Sequence, residues 1–442
     1  MTTVSEAGPS YRRATYMMTA TSLLVPIGGL VSAPVLAQGL GTDGRGEFAA
    51  ALAPASLIIG VATLGLPEAL TYSLAKRPSI TRRALLWSSL ATVVLGALSV
   101  LVVWWALPFL SAGDPQLARL ILLATIWNIP ALVVGLLRGA AVGRQMWGVV
   151  AWERVAMTVL RVGALVALLG TGRLTVETAV IVSIAMPILS GLVYVGLLTR
   201  PPHDQDQDVE DGRVVAPLFR YGAVVWVGGI ATMVIGRLAA LLMLPLSDAE
   251  QLGLYAVATT IADVPLLVAM AIQGTLFGVS SKTTDPTRVT TTARLTLIIG
   301  AAGCAVIAAS LPLWLGPLFG EGFVDATVPT IMLLVSALIM IPGLMASSGL
   351  GAWGRPGLRS AALIASLVVN VGTFLLLVPA LGAIGAAWAG IASTSALTAV
   401  AVVAASRVMH VPAVDFLIPR RADVVRCWHE LGHLVRRVRR RR

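Results

Sequence analysis

RPPHDQDQDVEDGR, Arg200 to Arg213, is the only long polar run between Thr15 and Val408. It opens on two prolines and carries five acids, Asp204, Asp206, Asp208, Glu210 and Asp211. Such a segment has too little apolar surface to build a core, so it reads as a solvated linker. About six apolar spans precede it and about six follow. Each is about 20 residues long, the length that crosses a hydrocarbon core. The linker is therefore expected to join two similar membrane halves that move against each other.

Composition agrees with that reading. Of the 442 residues, 57% are hydrophobic and 12% charged, with a mean hydropathy of +0.88. Soluble domains carry about 25% charged residues. The expected fold class is all-α, a polytopic membrane protein of about twelve transmembrane helices in two six-helix bundles. The net charge of +11 is spread in a way that speaks against nucleic acid: nine arginines lie between Arg420 and Arg442, and most others sit in short turns between spans. That distribution suits an anionic membrane surface. Cys304 and Cys427 are the only cysteines, too few for a disulfide framework. The apolar run Ala14–Leu36 exceeds a signal-peptide core of about 7–15 residues, so the first span is expected to remain uncleaved.

The expected spans are 15–38, 48–75, 84–110, 117–141, 147–169 and 175–199, then 217–244, 253–280, 292–315, 327–350, 358–378 and 383–407. They divide the chain into an N-terminal bundle, 1–199, a linker, 200–216, a C-terminal bundle, 217–410, and a basic tail, 411–442. Basic residues alternate with the turns. Arg12, Arg13, Lys76, Arg77, Arg82, Arg83, Arg138, Arg144, Arg200, Arg213, Arg220, Lys282, Arg288, Arg355 and Arg359 fall on one side. Arg45, Arg119 and Arg173 fall on the other, among Asp43, Asp114, Asp248, Glu250, Glu321 and Asp325. The positive-inside rule then puts both termini in the cytoplasm.

The two halves share local sequence. Ile129-Pro130-Ala131-Leu132 leads to Gly143-Arg144, and Ile341-Pro342-Gly343-Leu344 leads to Gly354-Arg355. Gly46-Glu47-Phe48 opens the second span, and Gly253-Leu254-Tyr255 the eighth. Corresponding spans keep one orientation, which predicts a parallel repeat about an axis along the membrane normal.

Three stretches carry a family resemblance: Leu40-Gly41-Thr42-Asp43-Gly44-Arg45-Gly46-Glu47-Phe48, Leu64-Gly65-Leu66-Pro67-Glu68-Ala69-Leu70, and Pro379-Ala380-Leu381-Gly382-Ala383-Ile384-Gly385-Ala386-Ala387. In order and spacing they resemble oligosaccharide flippases of the polysaccharide transporter family, within the multidrug/oligosaccharidyl-lipid/polysaccharide exporter superfamily. The resemblance implies two six-helix bundles around a central cavity. It also implies movement of a polyprenyl-diphosphate-linked oligosaccharide across the bacterial cytoplasmic membrane by alternating access. Cation-coupled multidrug exporters share the fold but usually carry an acid in the first span, and Ala14–Leu36 has none. Lipid II flippases resemble it too, but usually carry basic residues in that span and often extra spans.

Charges inside spans are costly and tend to face a cavity. Arg161 and Arg237 are the candidates for an anionic head group, because a guanidinium forks onto phosphate oxygens. The opposing reading of Arg237 is an ion pair with Asp263. Glu68 and Asp263 are candidates for a coupling ion, or for pairing and helix packing. Asn128 and Asn370 are candidates for sugar contact, or for hydrogen bonds between helices. Trp127, Trp226 and Trp388 are candidates for stacking on sugar rings, whereas Trp104, Trp105 and Trp314 fit the interface belt.

In the tail, Val424, Trp428, Leu431, Val435 and Val438 form one helical stripe. That predicts an interfacial helix anchored to anionic lipids by Arg439 to Arg442. Cys427, His429 and His433 lack further ligands at zinc-like spacing, so no metal is expected, and no cofactor. No Walker A sequence occurs, and short outer loops argue against a glycan polymerase or acyltransferase; the chain is not expected to be an enzyme. A scaffold role among glycan-assembly proteins, through the tail, is the remaining alternative.

Overall fold

The computed structural model describes residues 9–77, 80–196, 212–280 and 285–420. Among them there are helices and turns and no strand. Of the expected linker, 200–216, residues 200–211 lie outside the described residues, as does the basic stripe of the tail, while 212–216 already belong to the helix that starts at Gly212.

The helices are α1 (Pro9–Ala62), α2 (Leu66–Lys76), α3 (Thr81–Leu110), α4 (Pro115–Gly143), α5 (Trp147–Gly170) and α6 (Val176–Gly191). Then come α7 (Gly212–Leu246), α8 (Ala249–Ser280), α9 (Pro286–Phe319), α10 (Thr327–Ala352), α11 (Pro356–Met409) and the short α12 (Val414–Leu417). Eight stretches among the described residues are long and apolar enough to cross a membrane. The chain is a multi-pass membrane protein.

Two helices are too long for one crossing. α11 has 54 residues, about 81 Å at about 1.5 Å per residue, against a hydrocarbon core of about 30 Å. Gly382 breaks it at φ 53° and ψ −126°, a conformation that L side chains avoid. The chain reverses there. Ser366 Oγ lies 2.8 Å from Ser393 Oγ, and Asn370 Nδ2 donates to the Ala389 carbonyl at 3.4 Å. These contacts step toward the turn from both sides, so α11 is an antiparallel hairpin of two arms. α1 also has 54 residues and breaks at Gly41, with φ 69° and ψ −173°.

The second expected span, 48–75, is interrupted. Leu64 and Gly65 take φ 45° and 66°, and the chain restarts as α2. Pro67 sits in the first turn of α2, where a missing N–H is tolerated. Within a continuous helix the same ring would clash with the preceding turn. Thr63 Oγ1 donates to the Ile59 carbonyl at 2.7 Å, which closes the end of α1.

Helix starts follow their caps. Asp114 accepts from the Gln116 amide at 2.8 Å before Pro115, and Asp285 accepts from the Thr287 amide at 3.0 Å before Pro286. Each acid satisfies an orphan N–H of the first turn. Thr175 and Thr178 form a reciprocal capping pair at the start of α6.

The chain forms two compact units, Met1–Gly253 and Leu254–Arg442. In the first, α1 packs on α3, α4, α5, α6 and α7, and α2 packs on α4 and α7. Its core joins Leu66, Leu70 and Leu74 to Leu136, Ala140, Val150 and Tyr194. In the second, Ala258 and Ala262 of α8 meet Cys304 of α9, Leu334 of α10 and Ala387 of α11. A second cluster there joins Val289, Met345, Ala405 and Phe416. Small residues let these helices approach closely, as membrane packing requires.

The outside is apolar. Trp105 is 81% exposed, Leu313 79% and Leu376 76%. In water such surface would be a large unpaired patch; against acyl chains it is matched to its solvent. At the end of the second unit, Phe416 is fully buried. Arg294 Nη1 donates to the Asp415 carbonyl at 2.8 Å, and Arg420 Nη2 pairs with Asp415 Oδ1 at 2.6 Å. These contacts hold the segment that leads into the tail.

Candidate functional site

In the first unit, the break at Gly41 starts the second arm of α1 a few residues before Arg45. Burying a guanidinium without an acid is costly, yet Arg45 has a buried Nε with no hydrogen-bond partner. Its Cζ stands 5.5 Å over the Phe48 ring, and Phe48 is buried. That cation–π contact compensates part of the cost. Arg161, on α5, also has a buried, partnerless Nε. The two guanidiniums lie within Coulombic reach of each other. Neither forms an ion pair with a carboxylate among the described residues.

The backbone makes room for this pair. A side chain at Gly28, on the first arm of α1, would collide with Thr158. The glycine lets α5 lie close, and Thr158 sits one turn before Arg161. Thr158 Oγ1 is likewise buried without a partner, as is Ser183 Oγ on α6. Two like charges with free donors, beside an unsatisfied hydroxyl, form a locus of positive potential. Chemically it can accept an anion with several oxygens.

A second charged group in the same unit is complete in itself. Arg138, on α4, donates Nε to Glu153 Oε2 at 3.0 Å and Nη2 to Glu153 Oε1 at 2.8 Å. The hydroxyls of Ser190 and Tyr194 each stand 3.4 Å from the same carboxylate. Glu153 and Tyr194 are fully buried. This bidentate pair ties α4, α5 and the end of α6 together, with its charges matched.

The other expected site residues fall as follows. Arg237 is exposed on α7 and no contact links it to the Arg45–Arg161 pair among the described residues. Glu68 is exposed in the first turn of α2. Asp263 is exposed on α8 in the second unit, where its charge acts on Tyr255. Asn128 is buried and donates to the Ala55 carbonyl at 2.8 Å, joining α4 to α1. Asn370 is buried and donates across the α11 hairpin. Both amides therefore serve as ties between helices. Trp226 donates to the Gly60 carbonyl at 2.8 Å, while Trp127 and Trp388 are more than half exposed. Trp314 donates to Ser310 Oγ at 3.0 Å. Among the described residues, no group of three or more His, Cys, Asp or Glu side chains is placed to hold a metal.

Sequence reasoning missed Arg45 and the Arg138–Glu153 pair. Arg45 reads as a loop residue and Arg138 as an ordinary turn cation. The available signal was Glu153, an acid inside the span 147–169 with no acid or base four residues away to match it.

The fold and the charge distribution define a class: an all-α, multi-pass membrane protein with a basic locus in its first unit. The chain belongs to the family described as "Polysaccharide biosynthesis protein", which matches residues 11–284. Among solved structures it is similar to an inward-facing multidrug resistance MATE family transporter of the MOP superfamily, at TM-score 0.68 and 14% identity, over 91% of this chain and 94% of that one. It is similar to the lipid II flippase MurJ in an inward closed conformation, at TM-score 0.68 and 13% identity, over 90% and 88%. It is similar to an outward-facing MATE transporter at TM-score 0.56 and 15% identity, over 90% and 95%. At such identities the likeness shows the fold. No curated protein matches in sequence. Family and fold together support a membrane flippase or transporter and bear out the expected resemblance.

Proposed function

We propose that the protein moves a polyprenyl-diphosphate-linked oligosaccharide across the cytoplasmic membrane by alternating access, for cell-surface polysaccharide synthesis. The observation that carries the reading is the Arg45–Arg161 pair: two guanidiniums within electrostatic range, each with a buried Nε that has no hydrogen-bond partner and no ion pair among the described residues. A diphosphate supplies several acceptor oxygens and two negative charges, the chemistry this locus lacks. Guanidiniums forking onto phosphate in a low-dielectric setting form strong charge-assisted hydrogen bonds. Arg237, exposed on α7, is assigned to the same head group at another stage of transport. Asn128 and Asn370 reach sugar only if their carbonyl bonds open during that motion. Glu68 and Asp263, both exposed, are assigned to ion coupling. The alternation of basic turns supports an inside location for both termini, and the apolar hairpins α1 and α11 accommodate two spans each in the expected twelve.

The test is complementation of a strain lacking the gene, with lipid-linked sugars analysed on each face of the membrane. R45A and R161A are expected to accumulate the intermediate on the cytoplasmic side at normal protein levels, and R45K and R161K to restore part of the flux, since lysine keeps charge but loses the fork. Full complementation by both alanine variants overturns the assignment. Restored resistance to cationic drugs, without any change in lipid-linked sugars, replaces it with drug export.

A further inference from the structure

We propose that the second unit carries a site for an anionic phospholipid on the α11 hairpin, separate from the Arg45–Arg161 locus and from the tail. The two arms of the hairpin leave a shallow, open groove. Leu358 of the first arm and Val400, Val403 and Ala404 of the second form its apolar wall. Leu358, Val400 and Val403 are each more than a third exposed. Arg407 closes the groove at one end.

Charge decides the occupant. From Pro356 to Met409 the hairpin contains no acidic residue. Its basic residues, with Arg355 at the helix cap, are Arg355, Arg359 and Arg407, and all three lie at the end away from the Gly382 turn. All three are exposed, and none makes an ion pair among the described residues. An apolar slot lined by Arg407, with Arg355 and Arg359 at the same end of the hairpin, is complementary to a lipid whose chain fills the slot and whose phosphate meets the cations. Basic pockets between transmembrane helices take anionic lipid head groups in this way. A zwitterionic lipid brings its own cation to the same place and loses part of that attraction. This proposal does not rest on the transported substrate.

The experiment uses the full chain, purified and mixed with equal amounts of phosphatidylglycerol and phosphatidylcholine, with bound lipid read by native mass spectrometry. The wild type is expected to retain phosphatidylglycerol preferentially. R407A and R359A are each expected to weaken that retention about five-fold, the factor that corresponds to about 1 kcal/mol per basic residue near a membrane surface. V403W, which fills the exposed groove with an indole, is expected to displace both lipids while leaving thermal stability in detergent unchanged. Equal retention of the two lipids by the wild type overturns the proposal. So does undiminished phosphatidylglycerol retention by R407A together with V403W. Displacement of phosphatidylglycerol by stoichiometric polyprenyl phosphate also overturns it, because the groove would then belong to the carrier lipid.

Discussion

Removing Arg138 should damage the protein far more than removing Glu153, although they are partners in one ion pair. The asymmetry comes from burial: the Arg138 side chain is 33% exposed and the Glu153 side chain 0%. In R138M the carboxylate stays fully buried and loses its bidentate partner, keeping the Ser190 and Tyr194 hydroxyls at 3.4 Å. Breaking a buried pair on one side costs about 3–5 kcal/mol, because the remaining charge is uncompensated. In E153L the stranded group is Arg138, whose long stem lets the guanidinium swing toward its exposed side. The loss is then about 1–3 kcal/mol, that of charged hydrogen bonds without a buried orphan charge. The double variant R138M/E153L exchanges the pair for apolar groups and should be near neutral, as such replacements often are. The assay is reversible unfolding in mixed micelles, with the coupling energy taken from the double-mutant cycle. Equal single costs that simply add in the double variant refute the reasoning, because they would mean that the two side chains do not share one buried charge balance.

Two further outcomes follow from the same geometry. A Cβ at Gly46 would overlap the Ala249 carbonyl, and a Cβ at Gly253 the Thr42 carbonyl, so G46A and G253A must push two backbones apart. Each is expected to lower the melting temperature and to slow transport, and unchanged flux in both would show that this crossing yields freely. N128L removes the donor to the Ala55 carbonyl and should cost about 0.6–1.7 kcal/mol by the same unfolding assay, the range for hydrogen bonds between membrane helices; a much larger loss would mean that Asn128 carries more than one tie.

Much of the architecture was legible because membrane solvent leaves few choices. An apolar run of about 20 residues in lipid must be a helix, since no water is present to satisfy its backbone. So the runs at 84–110, 117–141 and 327–350 correspond closely to α3, α4 and α10. The glycines of the resemblance stretches proved to be the break points: Gly41 in LGTDGRGEF and Gly382 in PALGAIGAA hold the positive-φ conformations that interrupt α1 and turn α11 back. The break at Leu64 and Gly65 was hidden, because its flanks are apolar on both sides and hydropathy does not register a lost hydrogen bond. For Asn128 and Asn370 the sequence leaves sugar contact and interhelical bonding both open, and in the structure each amide donates to a backbone carbonyl of a neighbouring helix or arm.

The charged residues were the harder part, for a physical reason. Hydropathy weighs a side chain by type, whereas the energy of a charge in a membrane depends on depth and partner. Arg138 and Glu153 are 15 residues apart, on successive helices; their pairing is set by how α4 and α5 pack, which no local window contains. Arg45 presents the opposite problem. Three residues after Thr42 and flanked by Gly44 and Gly46, it has every mark of a solvated loop, yet the chain is already helical there and packed against its neighbours. The break is confined to Gly41, with helix on both sides of it, so Arg45 stands in the first turn of the second arm rather than in a loop. Whether that arginine meets a carboxylate or stays open then depends on α5, and α5 presents Arg161. A second cation in that place, in a unit that elsewhere matches its buried carboxylate to Arg138, is the feature on which the proposed anion transport rests.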